Sequence, residues 1–273
     1  MIYEYLNKDN IPVELNMYFN INEVQLLHYN EPELGLFVVE SPMVIERALS
    51  AGYEPVSFVM LDSASEKYCE QFGLSDKPIT VYVGDYDTIA SLTGVNITRG
   101  VLALMKRKPL KSLHEIINGM SRVAIFDDVE NPTNVGAMFR SAAALGIEAI
   151  ILTASSADPL YRRASRVSVG TVFQIPWTKL DKKNTYSSNY IEELHKLSFK
   201  TAAMALTDNS ISIDDPRLKS EEKLAIILGN EGFGLPDKVL LESDYNVKIP
   251  MQHNVDSLNV AAASSIVFWE LTR

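Results

Sequence analysis

The chain has 273 residues, 47% of them hydrophobic and 22% charged, with a formal net charge of −10. That length accommodates two domains with a sizeable core, and the composition is that of an ordinary globular protein. There is no apolar run near the ~18 residues of a membrane span, no basic-then-apolar signal segment at the N-terminus, and one cysteine, Cys69, which excludes an internal disulfide, so a cytoplasmic protein without membrane contact is expected.

The acidic balance argues against nonspecific coating of nucleic acid, because phosphate binding is largely electrostatic. The charge is uneven, however. Residues 1–120 carry 9 basic and 16 acidic side chains, and residues 121–273 carry 16 and 19. Arg99, Lys106, Arg107, Lys108 and Lys111 follow one another without an intervening acid, and Arg162, Arg163 and Arg166 form a second cluster. Lys106, Arg107, Lys108, Arg162, Arg163 and Arg166 are therefore candidates for holding RNA, with solvated surface charge as the equal alternative for each patch.

Residues 1–35 have weak periodicity and read as an N-terminal extension with one or two short helices. Leu36 to Val39 reads as a strand, followed by a helix from Met43 to Ala51 opened by Ser41-Pro42 and closed by Gly52. Val56–Leu61, Ile79–Val83 and Gly100–Met105 are further strand candidates, so residues 36–112 form a small α/β domain. Lys106 to Ser121 reads as the link.

From residue 113 onward strands and helices alternate. Strands are expected at Val123–Val129, Ala149–Thr153, Thr201–Leu206, Leu224–Leu228 and Val247–Ile249. Helices are expected at Val135–Leu145, Leu160–Val169, Tyr190–Leu197 and from Ser257 to about Leu271. This rhythm predicts an α/β domain over 113–273, with a mainly parallel sheet and helices on both faces.

Three polar segments sit at expected strand ends, where α/β sheets carry their sites. They are Asn131–Arg140, Leu228–Pro236, and Ile249-Pro250-Met251 leading into Ser257-Leu258-Asn259-Val260. In order and spacing they resemble the three motifs of the SpoU (TrmH-like) RNA 2′-O-ribose methyltransferases, within the SPOUT class. Arg166-Val167-Ser168-Val169-Gly170 is similar to that family's Arg-x-Ser-x-Gly stretch, and Ile45–Tyr53 resembles the L30e-like substrate-binding domain that often precedes the module. The resemblance implies a deep trefoil knot, which general chain topology would not suggest. It also implies S-adenosylmethionine as cofactor, held around Thr207, Gly229, Asn230, Gly234, Ile249, Met251 and Leu258. Asn134, Arg140, Glu231, Ser257 and Asn259 form the implied catalytic set, with Arg140 on the target phosphate and ribose. The implied partners are RNA, ribosomal before transfer RNA, and a second copy of the chain, with residues borrowed across the dimer. DNA is not an expected partner.

Read from the residues alone, several positions keep two meanings. Asn134 as an N-cap only and Arg140 as a surface ion-pair partner is the lesser alternative; Asp256 or Ser257 could simply cap the last helix. The small residues Ala261 to Ser265 suit either a dimer contact or a buried intramolecular helix. The Gly-rich turn at Gly229, Gly232 and Gly234 does not follow the dinucleotide pattern Gly-x-Gly-x-x-Gly, which leaves an oxidoreductase a distant rival. Base methylation by the same module and noncatalytic RNA binding are the other rivals. His28, His114, His195 and His253 are scattered, so no metal is expected. His253 stands where the family commonly has glycine, two residues after Met251, which puts the shape of that loop in question.

Overall fold

The apolar runs of the sequence become the strands of two separate sheets in a computed structural model, which describes residues 1–7, 12–19, 21–28, 35–93, 99–181, 189–253 and 255–273. The first is five-stranded: β1 (Ile2–Tyr5), β2 (Leu36–Glu40), β3 (Pro55–Leu61), β4 (Thr80–Gly84) and β5 (Val101–Lys106), in the order β1-β4-β3-β5-β2. β1, β4 and β3 run parallel, whereas β5 is antiparallel to both β3 and β2. The second is seven-stranded: β6 (Arg122–Phe126), β7 (Ala149–Leu152), β8 (Trp177–Lys179), β9 (Lys200–Met204), β10 (Ile211–Ser212), β11 (Leu224–Leu228) and β12 (Tyr245–Lys248). Its order is β10-β12-β9-β11-β6-β7-β8, and every pairing is parallel.

Two compact units hold these sheets. Met1–Pro109 and Leu160–Phe173 make one; Leu110–Pro159 and Gln174–Arg273 make the other. In the second unit, β11 and β7 are buried along their whole length, and Val123 to Phe126 of β6 are completely inaccessible. Such unbroken apolar runs are what a parallel sheet covered on both faces requires. One face packs Val123, Ile125, Ile151 and Ile227 with Leu113, Ile116, Tyr190 and Leu194. The other packs Phe126 edge-on against Phe139, 5.8 Å between ring centroids, and Phe139 against Trp177. Helices Pro132–Ala144 and Val260–Leu271 pack side by side there, joined by a 2.8 Å Ser141–Ser265 hydroxyl contact. Within the small-residue run of the last helix, Ser264 is buried and Ser265 makes this intramolecular contact, whereas Ala262 is exposed.

The first unit departs from the sequence reading in two places. Residues expected as an extension build its core: Leu15, Tyr18 and Leu26 are buried with Leu36, Val59 and Leu104, and Ile2–Tyr5 pairs with β4. The Tyr18 hydroxyl meets Ser57 Oγ at 2.7 Å and accepts from the Leu104 amide. The helices carrying Leu15, Tyr18 and Leu26 are only one or two turns long, too short to show a period.

The second departure is the basic helix Arg162–Val167, expected inside the C-terminal domain but found in the first unit. Glu40, 3% exposed at the end of β2, accepts from Arg162 Nε at 2.9 Å and Arg166 Nη1 at 3.4 Å. The Glu23 carboxylate accepts from the Arg162 amide. A buried carboxylate demands such partners, and this demand fixes the segment. After it, Val169 (φ 55°) and Gly170 (φ 82°) turn the chain, with Arg47 Nη1 on the Val169 carbonyl at 2.5 Å.

Replacing Arg162 by alanine should destabilise the first unit by about 3 kcal/mol, because Glu40 stays buried with only its longer Arg166 contact. Urea unfolding checks this, and a change below about 0.5 kcal/mol would mean the pair does not hold the segment.

Candidate active site

In a parallel sheet all strand C-termini lie along one edge, so the loops after β6, β9, β11 and β12 emerge together. β6 ends at Phe126, earlier than its apolar run suggested, because Asp128 turns the chain at φ 55°. The Asp128 amide donates to Thr153 Oγ1 at 2.9 Å, and that hydroxyl donates back to Asp128 Oδ1 at 3.0 Å. Asp has some tolerance for this backbone region.

The next helix begins at Pro132, not at Val135. Asn131 is its N-cap, accepting from the Thr133 amide at 2.9 Å, and Pro132 occupies the first turn where its missing N–H is harmless. Asn134 is therefore not the cap. It lies inside the first turn with its side chain buried.

After β11, Gly229 passes so close to the following turn that a Cβ would lie 2.8 Å from Leu235 and 2.9 Å from the Gly234 carbonyl carbon. Asn230 organises the turn. Its Oδ1 accepts from the Gly232 and Phe233 amides at 2.7 and 3.3 Å, its Nδ2 donates to the Asp128 carbonyl at 2.9 Å, and its carbonyl accepts from the Gly234 amide. Gly234 supplies the positive φ, 70°.

The last helix starts at Val260, three residues later than expected, and is capped by Asn259 rather than Asp256 or Ser257. Asn259 Oδ1 accepts from the Ala261 and Ala262 amides at 3.0 and 3.4 Å. Its Nδ2 donates to Glu231 and, at 3.3 Å, to Asn134 Oδ1. Glu231 Oε1 also accepts from the Val260 amide at 3.1 Å. A carboxylate at this position complements the positive end of the helix dipole. Asn134, Glu231 and Asn259, from three distant parts of the chain, thus form one hydrogen-bonded cluster.

Two clefts adjoin that cluster. One, about 230 Å³, is lined mainly by apolar groups, among them Leu206, Leu228, Ile249, Met251 and Leu258, with Gly229, Gly234 and Ser257. The other, about 220 Å³, is polar and lined by Asp128, Glu130, Asn131, Asn134 and Gly232. Asn230 and Glu231 line both. Thr207 lines neither; it is held in a turn by Ser210, and Leu206 stands in the apolar cleft instead. Asp128, Glu130 and Asn131 line this cleft but were not singled out from the sequence; Asn131 opens the first polar segment, and the signal for the other two was their place directly after a buried strand.

Arg140 is exposed and lines neither cleft. Six residues along a helix rotate it about 120° away from Asn134. Among the described residues none pairs with it. His253 adopts φ 58°, a backbone that glycine favours, so this loop makes a left-handed turn at a residue that carries a side chain. The basic candidates are partly engaged within the first unit. Lys106 pairs with Glu54 at 3.2 Å, Arg107 Nε donates to the Leu36 carbonyl, and Lys108 donates to the Ala51 carbonyl at 2.6 Å over the Tyr53 ring. No group of three or more His, Cys, Asp or Glu that could hold a metal occurs among the described residues.

Behind the polar cleft, Tyr190 donates to the buried Asp127 Oδ2 at 2.7 Å. Burial pushes the Asp127 carboxyl above its ordinary value, opposed by the Tyr190 hydrogen bond. The folded state then holds the proton more tightly than the unfolded chain. The associated stability is full below the ordinary carboxyl value and declines as pH rises through the raised one. Asp127→Asn should remove this decline above the ordinary carboxyl range, measured by urea unfolding across pH; an identical pH profile in both proteins would contradict it.

The SpoU rRNA Methylase family matches residues 121–269. An uncharacterized tRNA/rRNA methyltransferase of Mycobacterium bovis is 32% identical over 240 residues, covering 88% of this chain and 81% of the relative. The 23S rRNA (guanosine(2553)-2′-O)-methyltransferase RlmP of Bacillus subtilis is 33% identical over 150 residues, 55% of this chain and 57% of its own. Among solved structures, an rRNA methyltransferase from Sinorhizobium meliloti superposes with a TM-score of 0.78 at 22% identity, over 98% of this chain and 97% of that one. The SpoU methyltransferase AviRb from Streptomyces viridochromogenes, solved with AdoMet, has a TM-score of 0.75 at 20% identity, over 96% and 98%. These two likenesses concern the fold.

Proposed function

Because the chain belongs to the SpoU rRNA methylase family, and is thereby an RNA methyltransferase, we propose that it transfers a methyl group from S-adenosylmethionine to a ribose 2′-hydroxyl of ribosomal RNA. The observation that carries this reading is the shared wall of the two clefts. An apolar cleft suited to an adenosyl group and a polar cleft suited to a ribose meet at Asn230 and Glu231.

The apolar cleft fits the cofactor in chemistry. Its walls combine aliphatic side chains with backbone groups at strand ends, and Gly229 allows the close turn that shapes it. Leu206, Leu228, Ile249, Met251 and Leu258 would hold the adenosyl group. When bound, S-adenosylmethionine supplies an electrophilic methyl on a sulfonium.

Everything else falls to the chain's own residues. Glu231 Oε1 is taken by Asn259 and Val260, so its direction is fixed, and Oε2 is left to accept from the ribose hydroxyl. Asn134 and Asn259 brace that carboxylate from the helix side. Alignment of this kind is the large catalytic contribution, worth roughly 7–11 kcal/mol when both reactants are fully oriented.

Arg140 acts on the phosphate and ribose, and it does so in the site of a second copy. Its exposure, its distance around the helix from Asn134 and its lack of a partner among the described residues all support a role in trans. Ala262, Ile266 and Trp269, one exposed stripe on the last helix, support a homodimer. The first unit, with Lys106, Arg107 and Lys108, gathers the RNA.

Arg140→Ala should lower single-turnover methylation of RNA on the order of 100-fold, and Arg140→Lys nearly as much, because the planar fork is lost. Cofactor affinity by calorimetry should be unchanged in both. Mixing Arg140→Ala with an inactive Asn259→Ala protein should restore part of the activity, since one site of each mixed dimer is intact. No recovery after subunit exchange would place Arg140 in its own chain's site, and near-normal turnover of Arg140→Ala would remove it from the mechanism.

A further inference from the structure

Phe233 sits between Gly232 and Gly234 on the turn that presents Glu231. At 95% exposure it is the most exposed large hydrophobic among the described residues. A single exposed apolar side chain is unremarkable in itself; its placement is not. Gly232 lines the polar cleft, and Glu231 lines both clefts. The backbone under the ring is fixed, because the Phe233 amide donates to Asn230 Oδ1 and the Gly234 amide to the Asn230 carbonyl. The flanking glycines offer no side chains, and a Cβ at Gly234 would meet nothing within 4 Å. Both faces of the ring are therefore open, and no ring or cation of the described residues packs on it.

A nucleoside carries its 2′-oxygen and its base on adjacent carbons of one sugar. Whatever holds the base must therefore lie within a nucleoside's width of the group that receives the 2′-hydroxyl. Phe233 lines neither cleft itself but is two residues from Glu231 on the same hydrogen-bonded turn, which keeps its backbone within about 7 Å of that of Glu231. The Glu231 carboxylate disfavours a phosphate at the same spot, whereas stacking on an aromatic face is indifferent to charge and accepts any base.

We propose that Phe233 is the stacking platform for the base of the nucleotide being methylated. The inference rests on the ribose-methylation reading and adds to it a means of holding an unpaired target nucleotide. It implies that the target is presented single-stranded or extruded from its stack, because a paired base has no free face to offer.

Three full-length proteins test it: wild type, Phe233→Leu and Phe233→Tyr, assayed on total RNA from cells lacking the gene. Leucine keeps apolar bulk without a π face; tyrosine keeps the face. Phe233→Leu should lower kcat/KM for RNA by about tenfold, mainly through KM, and Phe233→Tyr should stay near wild type. Cofactor affinity and sedimentation should be the same in all three. A Leu variant equal to wild type overturns the stacking. So does a loss of dimer in the Leu variant, which would make the ring an interface contact. A wild type that forms no 2′-O-methyl nucleotide defeats the underlying reading instead, and the inference falls with it.

Discussion

The contact on which the site depends is the one between the Glu231 carboxylate and the start of the last helix. Glu231 accepts from the Val260 amide and the Asn259 side chain, and Asn259 reaches on to Asn134. Segments at positions 134, 231 and 259 are thereby joined through the side chains of Asn134, Glu231 and Asn259. This junction adds to two other ties between the same segments, the Asn230 hydrogen bond to the Asp128 carbonyl and the Ser141–Ser265 contact between the two helices. With it, the wall between the apolar and polar clefts has a defined position. The helix dipole and the hydrogen bonds act in the same direction, since a carboxylate at an exposed helix N-terminus satisfies amides that have no intrahelical acceptor.

The division of charge follows the same logic of local demand. An acidic chain that handles RNA must concentrate its cations, yet part of the basic complement is committed inside the first unit. Arg162 and Arg166 serve the buried Glu40, a requirement set by desolvation and independent of any nucleic acid. Lys106, by contrast, is exposed and paired only with an exposed Glu54, a contact worth little in water and easily exchanged for phosphate.

The parallel sheet and its helices were legible because β6, β7 and β11 are continuous apolar runs closed by polar residues, a pattern that burial on both faces imposes. The cluster residues Asn134, Glu231 and Asn259 were legible from motif order. Their hydrogen-bonding roles were not, because a cap and a ligand contact use the same residue types: Asn131 and Asn259 proved to be the caps, Asn134 and Ser257 did not. The opening residues and the Arg162–Val167 helix were misplaced for a different reason. Leu15 and Tyr18 belong to elements of three and four residues, too short for a helical period to repeat, and the location of an arginine helix depends on a carboxylate more than 120 residues away. Neither kind of information is carried by local pattern.

The central claim is that the methyl acceptor is a ribose oxygen seated against Glu231. It is tested most directly by supplying the purified protein with S-adenosylmethionine labelled in its methyl group and RNA from cells lacking the gene, then hydrolysing the product in alkali. A methylated 2′-oxygen cannot attack the neighbouring phosphate, so the account predicts that the label is recovered in an alkali-resistant dinucleotide. Label recovered in mononucleotides would place the methyl on a base and contradict it.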